Sequence, residues 1–162
     1  TLNSSRGPFS AAGRSAVALA VGGSHTCALL TTGGVSCWGS NEEGQLGNGG
    51  NVDASSPQMV DLGIRLESGQ TAVAVVAGRL HSCALLTTGS VSCWGFNGEG
   101  RLGIGSTDSA NKPQIVDLGA GRPVAALAAG GHHTCALLRT GSVLCWGQNM
   151  AGQLGIGSAA NV

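Results

Sequence analysis

One stretch of this chain occurs three times. It reads CALLTTGGVSCWGSNEEGQLGNG from Cys27, CALLTTGSVSCWGFNGEGRLGIG from Cys83 and CALLRTGSVLCWGQNMAGQLGIG from Cys135. The first cysteine recurs at intervals of 56 and 52 residues. In each copy a second cysteine stands ten positions on, followed by Trp-Gly, Asn and Gly-x-Leu-Gly. Self-similarity at such a period constrains the fold more than any local propensity. Each copy is one supersecondary unit that buries its apolar surface only against its neighbours.

Within a unit the signals are those of short strands. Ser15 to Val21, Thr71 to Ala77 and Pro123 to Ala129 are Ala/Val/Leu runs bounded by turn formers, too short for helices. Ser24 to Leu30 and Gly34 to Trp38 form a hairpin joined by Thr31-Thr32-Gly33. That connection fits a three-residue loop with glycine in the left-handed position, occupied in turn by Gly33, Gly89 and Gly141. The register sets Leu29 against Val35, Ala28 against Ser36 and Cys27 against Cys37. His25, Cys27, Leu29, Val35 and Cys37 then share one face, and Ala28, Leu30, Ser36 and Trp38 the other. Both faces are apolar or small, so the hairpin expects neighbours on both sides. A long polar connection follows, with Leu46, Leu102 and Leu154 as candidate anchors and Asn41, Asn97 and Asn149 as candidate binders of turn backbone. A fourth strand is expected at Gln58 to Leu62 and Gln114 to Leu118.

His-Thr-Cys-Ala-Leu, Thr-Gly-x-Val and Cys-Trp-Gly-x-Asn-x-x-Gly-Gln-Leu-Gly resemble the repeat of the regulator of chromosome condensation family, across nearly the whole chain. The resemblance implies an all-β fold, a β-propeller of four-stranded antiparallel blades around a central channel, seven in most of the family. Three units fall short of the roughly four to eight blades that close a ring. The expectation is therefore a partial ring cut from a longer protein, with three chains completing a ring together as the lesser option. Its units are residues 1–56 (a linker and blade repeat 1), 57–112 (repeat 2) and 113–162 (repeat 3).

Six cysteines allow 15 pairings, and the hairpin register singles out Cys27–Cys37, Cys83–Cys93 and Cys135–Cys145. They fall at non-hydrogen-bonded cross-strand positions, where the α-carbons approach closely enough for a disulfide. Each bridge would close a short loop and contribute somewhat under about 3 kcal/mol. Reduced core cysteines are the plainer alternative. A zinc cluster with His25, His81 or His133 is weaker, because one hairpin supplies only three ligands at the wrong spacing. Disulfides imply an oxidising compartment, hence a secreted or cell-surface protein. The Asn3-Ser4-Ser5 sequon points the same way and makes Asn3 a candidate glycan site.

Charge excludes other classes. Eight basic and eight acidic side chains give a formal net charge of zero, with one lysine, Lys112. No basic face suits a nucleic acid, and no apolar run approaches the roughly 18 residues of a membrane span. The chain opens without methionine or a signal-peptide pattern, as a mature or partial chain would. No nucleophile elbow, phosphate loop or paired carboxylate recurs, so no catalytic residue, cofactor or metal is expected. Histidines and tryptophans that recur in every unit read as blade construction, the histidines bonded to backbone. His132, unique to the third unit, reads as a surface residue. Function belongs where the copies differ: Phe96, Met150, Glu42 and Glu43 are the candidate contact residues, with loop anchoring an equal alternative for Phe96. The leading expectation is a non-enzymatic structural or protein-binding module of a larger surface, matrix or appendage protein. Its partners would be proteins, among them further blades or neighbouring subunits, with possible glycans. A secreted propeller that inhibits an enzyme is the alternative. Nucleotide exchange on a small GTPase with chromatin binding ranks third, because basic patches are missing and the cysteines are paired.

Overall fold

The computed structural model describes residues 15–63 and 70–162. Asn3, the candidate glycan site, and Pro8 lie outside the described residues. The first sheet contains β1 (Ala16–Val21), β2 (His25–Leu30), β3 (Val35–Gly39) and β4 (Ala54–Met59), in that spatial order. The second repeats it with β5 (Ala72–Ala77), β6 (His81–Leu86), β7 (Val91–Gly95) and β8 (Ala110–Ile115). The third carries β9 (Val124–Ala129), β10 (His133–Leu138) and β11 (Val143–Gly147). All neighbouring strands are antiparallel. The third sheet also holds the first bridge of a fourth strand. Gly147 donates its N–H to the Val162 carbonyl at 2.6 Å, the place that Ala54 and Ala110 take opposite Gly39 and Gly95.

The hairpin register is the expected one: Cys27 opposite Cys37, Ala28 opposite Ser36 and Leu29 opposite Val35, with the same pairing in both later blades. Gly33, Gly89 and Gly141 have φ of 76°, 86° and 88°, a conformation that costs an L-residue about 1–2 kcal/mol. A Cβ on Gly141 would meet nothing within 4 Å, whereas one on Gly89 would lie 2.8 Å from Pro123. Gly141→Ala is therefore expected to cost only that backbone term of about 1–2 kcal/mol, and Gly89→Ala distinctly more. Urea unfolding of the two variants side by side checks this.

The fourth strands begin and end earlier than the sequence reading placed them, at Ala54–Met59 and Ala110–Ile115 rather than Gln58 to Leu62 and Gln114 to Leu118. Pro57 and Pro113 lie inside them, in the irregular stretch between the Cys37–Gln58 and Gly39–Ala54 pairs and its copy in the second blade. A proline has no N–H to give and is tolerated at such an edge irregularity.

The three sheets stack face to face, with β1, β5 and β9 adjacent along the inner side. Each innermost strand bulges near its start, and the unpaired residue is Val17, Val73 or Ala125. Two apolar cores fill the seams. The rear of blade 1 (Leu29, Val35) meets the front of blade 2 (Val75, Trp94), and the rear of blade 2 (Leu85, Val91) meets the front of blade 3 (Leu127, Trp146). Neighbours make the difference: Val75 is 8% exposed and its first-blade counterpart Leu19 is 63%, while Val91 is 1% and its third-blade counterpart Val143 is 62%. Both end faces of the stack are open, and the ring is not closed.

Candidate functional site

Disulfides join Cys27 to Cys37, Cys83 to Cys93 and Cys135 to Cys145, each with α-carbons 4.1 Å apart. The first four of these cysteines are fully buried. Among the described residues no group of three or more His, Cys, Asp or Glu side chains gathers as a metal site would require.

The recurring polar residues build the seams. Ser82 donates its hydroxyl to the Gln45 carbonyl at 3.1 Å, and Trp94 donates its indole N–H to the same carbonyl at 2.9 Å. His25 Nε2 lies 2.8 Å from the Ser82 oxygen. At the next seam Thr134 and Trp146 both donate to the Arg101 carbonyl at 3.0 Å, and His81 Nε2 lies 2.9 Å from the Thr134 oxygen. Because each hydroxyl spends its proton on a carbonyl, it accepts from the imidazole, which fixes the neutral Nε2–H tautomer. His25 and His81 thus bond to a hydroxyl of the following blade, not to backbone as the sequence suggested. Burial lowers His25 to about 4 and, with repulsion from Arg101 added, His81 to about 3.

The long loops are held by their asparagines. Asn97 is fully buried. It accepts from Leu102 N–H at 2.9 Å and donates to the carbonyls of Ser106 and Asp108 at 2.8 and 3.0 Å. Asn41 and Asn149 repeat the pattern around Leu46 and Leu154. Leu46, Leu102 and Leu154 are buried, the anchoring role expected of them.

On this common frame the loops differ. Met150 is 77% exposed, Glu42 is exposed and Glu43 half-buried. Phe96 is half-buried and lies under the Arg101 guanidinium, 4.7 Å from ring centroid to Cζ. Arg101 is the position sequence reasoning missed. Its counterparts Gln45 and Gln153 accept the N–H of Glu43 and Ala151 through their side-chain oxygens. An arginine has no acceptor to offer. In its loop Arg101 instead donates Nε–H to the Gly98 carbonyl and pairs with Glu99. Glu99 takes φ 59°, and no other non-glycine residue among those described has a positive φ. The exchange of Gln for Arg was visible in the aligned repeats and was the available signal.

A cleft of about 770 Å³ runs beside β11, over Leu118, Leu144, Trp146 and Val162. At the first seam the same ground is covered by β8, where Asn111 packs on Gly44 and Lys112 on Gly49. In the first and second sheets the place beside the third strand is taken by β4 and β8.

Comparison with known proteins agrees with this architecture. The regulator of chromosome condensation (RCC1) repeat matches residues 32–85 and 88–137, and a second form of the same repeat matches residues 16–45, 72–101 and 124–153. Protein pim1 of Schizosaccharomyces pombe is 37% identical over 147 residues, covering 85% of this chain and 26% of its own length. The ultraviolet-B receptor UVR8 of Arabidopsis thaliana is 34% identical, covering 86% of this chain and 31% of that protein. The crystal structure of Prp20p from Saccharomyces cerevisiae superposes with a TM-score of 0.75 at 32% identity, over 87% of this chain and 34% of that one. The chain spans about a third or less of these relatives. Three blades repeating one turn, one disulfide and one seam network, matched by that repeat along most of their length, place the chain in the regulator of chromosome condensation (RCC1) repeat family.

Proposed function

We propose that the chain is a segment of a non-enzymatic, extracellular propeller that binds protein partners through its loop face. One observation carries the reading. Blade construction is repeated nearly residue for residue, while the loop positions Ser40/Phe96/Gln148 and Glu42/Gly98/Met150 differ in all three copies and Glu43/Glu99/Ala151 differs in the third, on a common frame. Exposed positions that differ on a constant scaffold are where recognition resides. The printed description of Prp20p concerns binding to Gsp1p and histones, which supports protein binding as a use of this fold. Three cross-strand disulfides in three hairpins support an oxidising compartment and favour a surface or matrix protein over the nuclear exchange factor. A secreted enzyme inhibitor is the second reading, favoured by Met150 as an exposed apolar tip of the kind that fills a partner's pocket.

The test has two parts. Non-reducing mass spectrometry of protein from its native source should find all six cysteines bonded. Protein captured from the matching extracellular fraction should be lost at least about tenfold, the scale of one or two contact residues, by Glu42→Ala/Glu43→Ala/Met150→Ala, with thermal stability unchanged. Six free thiols, or catalysed nucleotide release from a GTPase, would overturn the reading.

A further inference from the structure

The two seams hold a histidine arrangement that the blades do not need for their internal ladders. His25 and His81 are buried, and each joins its own blade to the hydroxyl of the next. Since Nε2 already carries the donated proton, a second proton must enter at Nδ1. In both residues Nδ1 is buried and has no partner. The ring edge lies against glycine: a methyl group on Gly22 would come within 2.6 Å of His25 Nδ1, and one on Gly78 within 2.5 Å of His81 Nδ1. The carbonyl oxygens of Gly78 and Gly130 border these same two spaces, yet neither is hydrogen-bonded to the ring in the closed stack.

The charged neighbours are cationic or basic. His81 faces Arg101 from its own blade's loop, His132 and His133 from blade 3, and His25 from blade 1. The Glu99 carboxylate is engaged by Arg101. A charge placed on either imidazole is thus buried, unpaired and, for His81, repelled. The strands of blades 1 and 2 hold no other group that titrates in the acid range, and the rings of His25 and His81 reach across the seams, so acid acts there.

We propose that the blade seams form an acid-triggered release: protonation of His25 and His81 at Nδ1 places a buried, unpartnered charge in each seam and lets intact, disulfide-locked blades separate. The sign follows from linkage. The unfolded or opened chain binds these protons near 6.5 and the closed stack near 4 and 3. Seam stability is therefore complete above about pH 6.5 and drains away as pH falls toward those values. What opens is apolar: Leu29 and Val35 on one face and Val75 and Trp94 on the other at the first seam, with Leu85, Val91, Leu127 and Trp146 at the second. An acidic compartment would thus expose surface that neutral pH conceals.

The experiment is a titration of the oxidised protein from pH 7.5 to 3, following Trp94 and Trp146 by fluorescence and near-ultraviolet circular dichroism, and the strands by far-ultraviolet circular dichroism. The tryptophan signals should change with a midpoint between about pH 4 and 6 while the strand signal persists. His25→Gln/His81→Gln keeps a donor near the Nε2 position without a titrating ring, and should move the midpoint down by about one pH unit or more. Arg101→Gln, which installs the residue found at Gln45 and Gln153, should shift it the same way by less, because one repelling charge is gone. Loss of both signals together in the native protein, or a midpoint that neither variant moves, overturns the proposal. If the double histidine variant does not fold, Arg101→Gln alone decides.

Discussion

Trp94→Ala should be the most damaging single substitution in the chain, costing about 3–5 kcal/mol, the range for deleting a buried aromatic. For a domain of this size that lowers the melting temperature by roughly 10–15 °C. Trp94 is fully buried at the first seam and its indole N–H bonds the Gln45 carbonyl across the blades. Gly47, with φ 66°, lies so close that a Cβ there would sit 2.7 Å from the indole nitrogen. Truncation leaves a void that this tight glycine turn cannot collapse to fill. Trp94→Phe separates packing from hydrogen bonding. It keeps most of the apolar area, and the Gln45 carbonyl still receives the Ser82 hydroxyl, so the loss should be about 1–2 kcal/mol. Equal losses from the two variants would mean that the hydrogen bond, not the packing, holds the seam. Calorimetry at pH 7.5 reads both.

Asn97→Ala should cost about 2–3 kcal/mol, because it strands one buried backbone N–H and removes the donor to two part-buried carbonyls at once. The Leu102 N–H loses its acceptor, and the Ser106 and Asp108 carbonyls lose their donors. Leu102, buried by that loop, loses the tether that aims it inward. Asn97→Asp is the informative companion. A carboxylate still accepts from Leu102 but faces two carbonyl oxygens with no proton to give, so it should be at least as harmful as alanine. An aspartate variant of near-native stability in denaturant titration would show that the carbonyl contacts contribute little.

What could be read from the residues divides by distance along the chain. The Thr-Thr-Gly connection specifies a turn, the turn specifies a register, and the register brings Cys27 opposite Cys37. Every step spans a dozen residues or fewer, so local rules sufficed. The fourth strand starts before the expected Gln58 and Gln114 because an edge irregularity accommodates Pro57 and Pro113 within it. The histidine partners were missed for a different reason. Ser82 stands 57 positions beyond His25, and a bond between successive blades leaves no mark on either segment alone. Phe96 stayed ambiguous until Arg101 was found against it, since a pattern of single letters does not say which side chain folds over which.

The placement of the three bridges has a mechanical consequence. Each links residues only ten positions apart within one hairpin, and none links one blade to another among the described residues. Under a pulling force the chain would not pay out its full contour. Each locked hairpin withholds roughly 30 Å of extension, and the slack comes from the stretches between hairpins. Stretched, the protein is a string of three short, inextensible knots on a yielding cord, each keeping a native turn from which its blade can re-form.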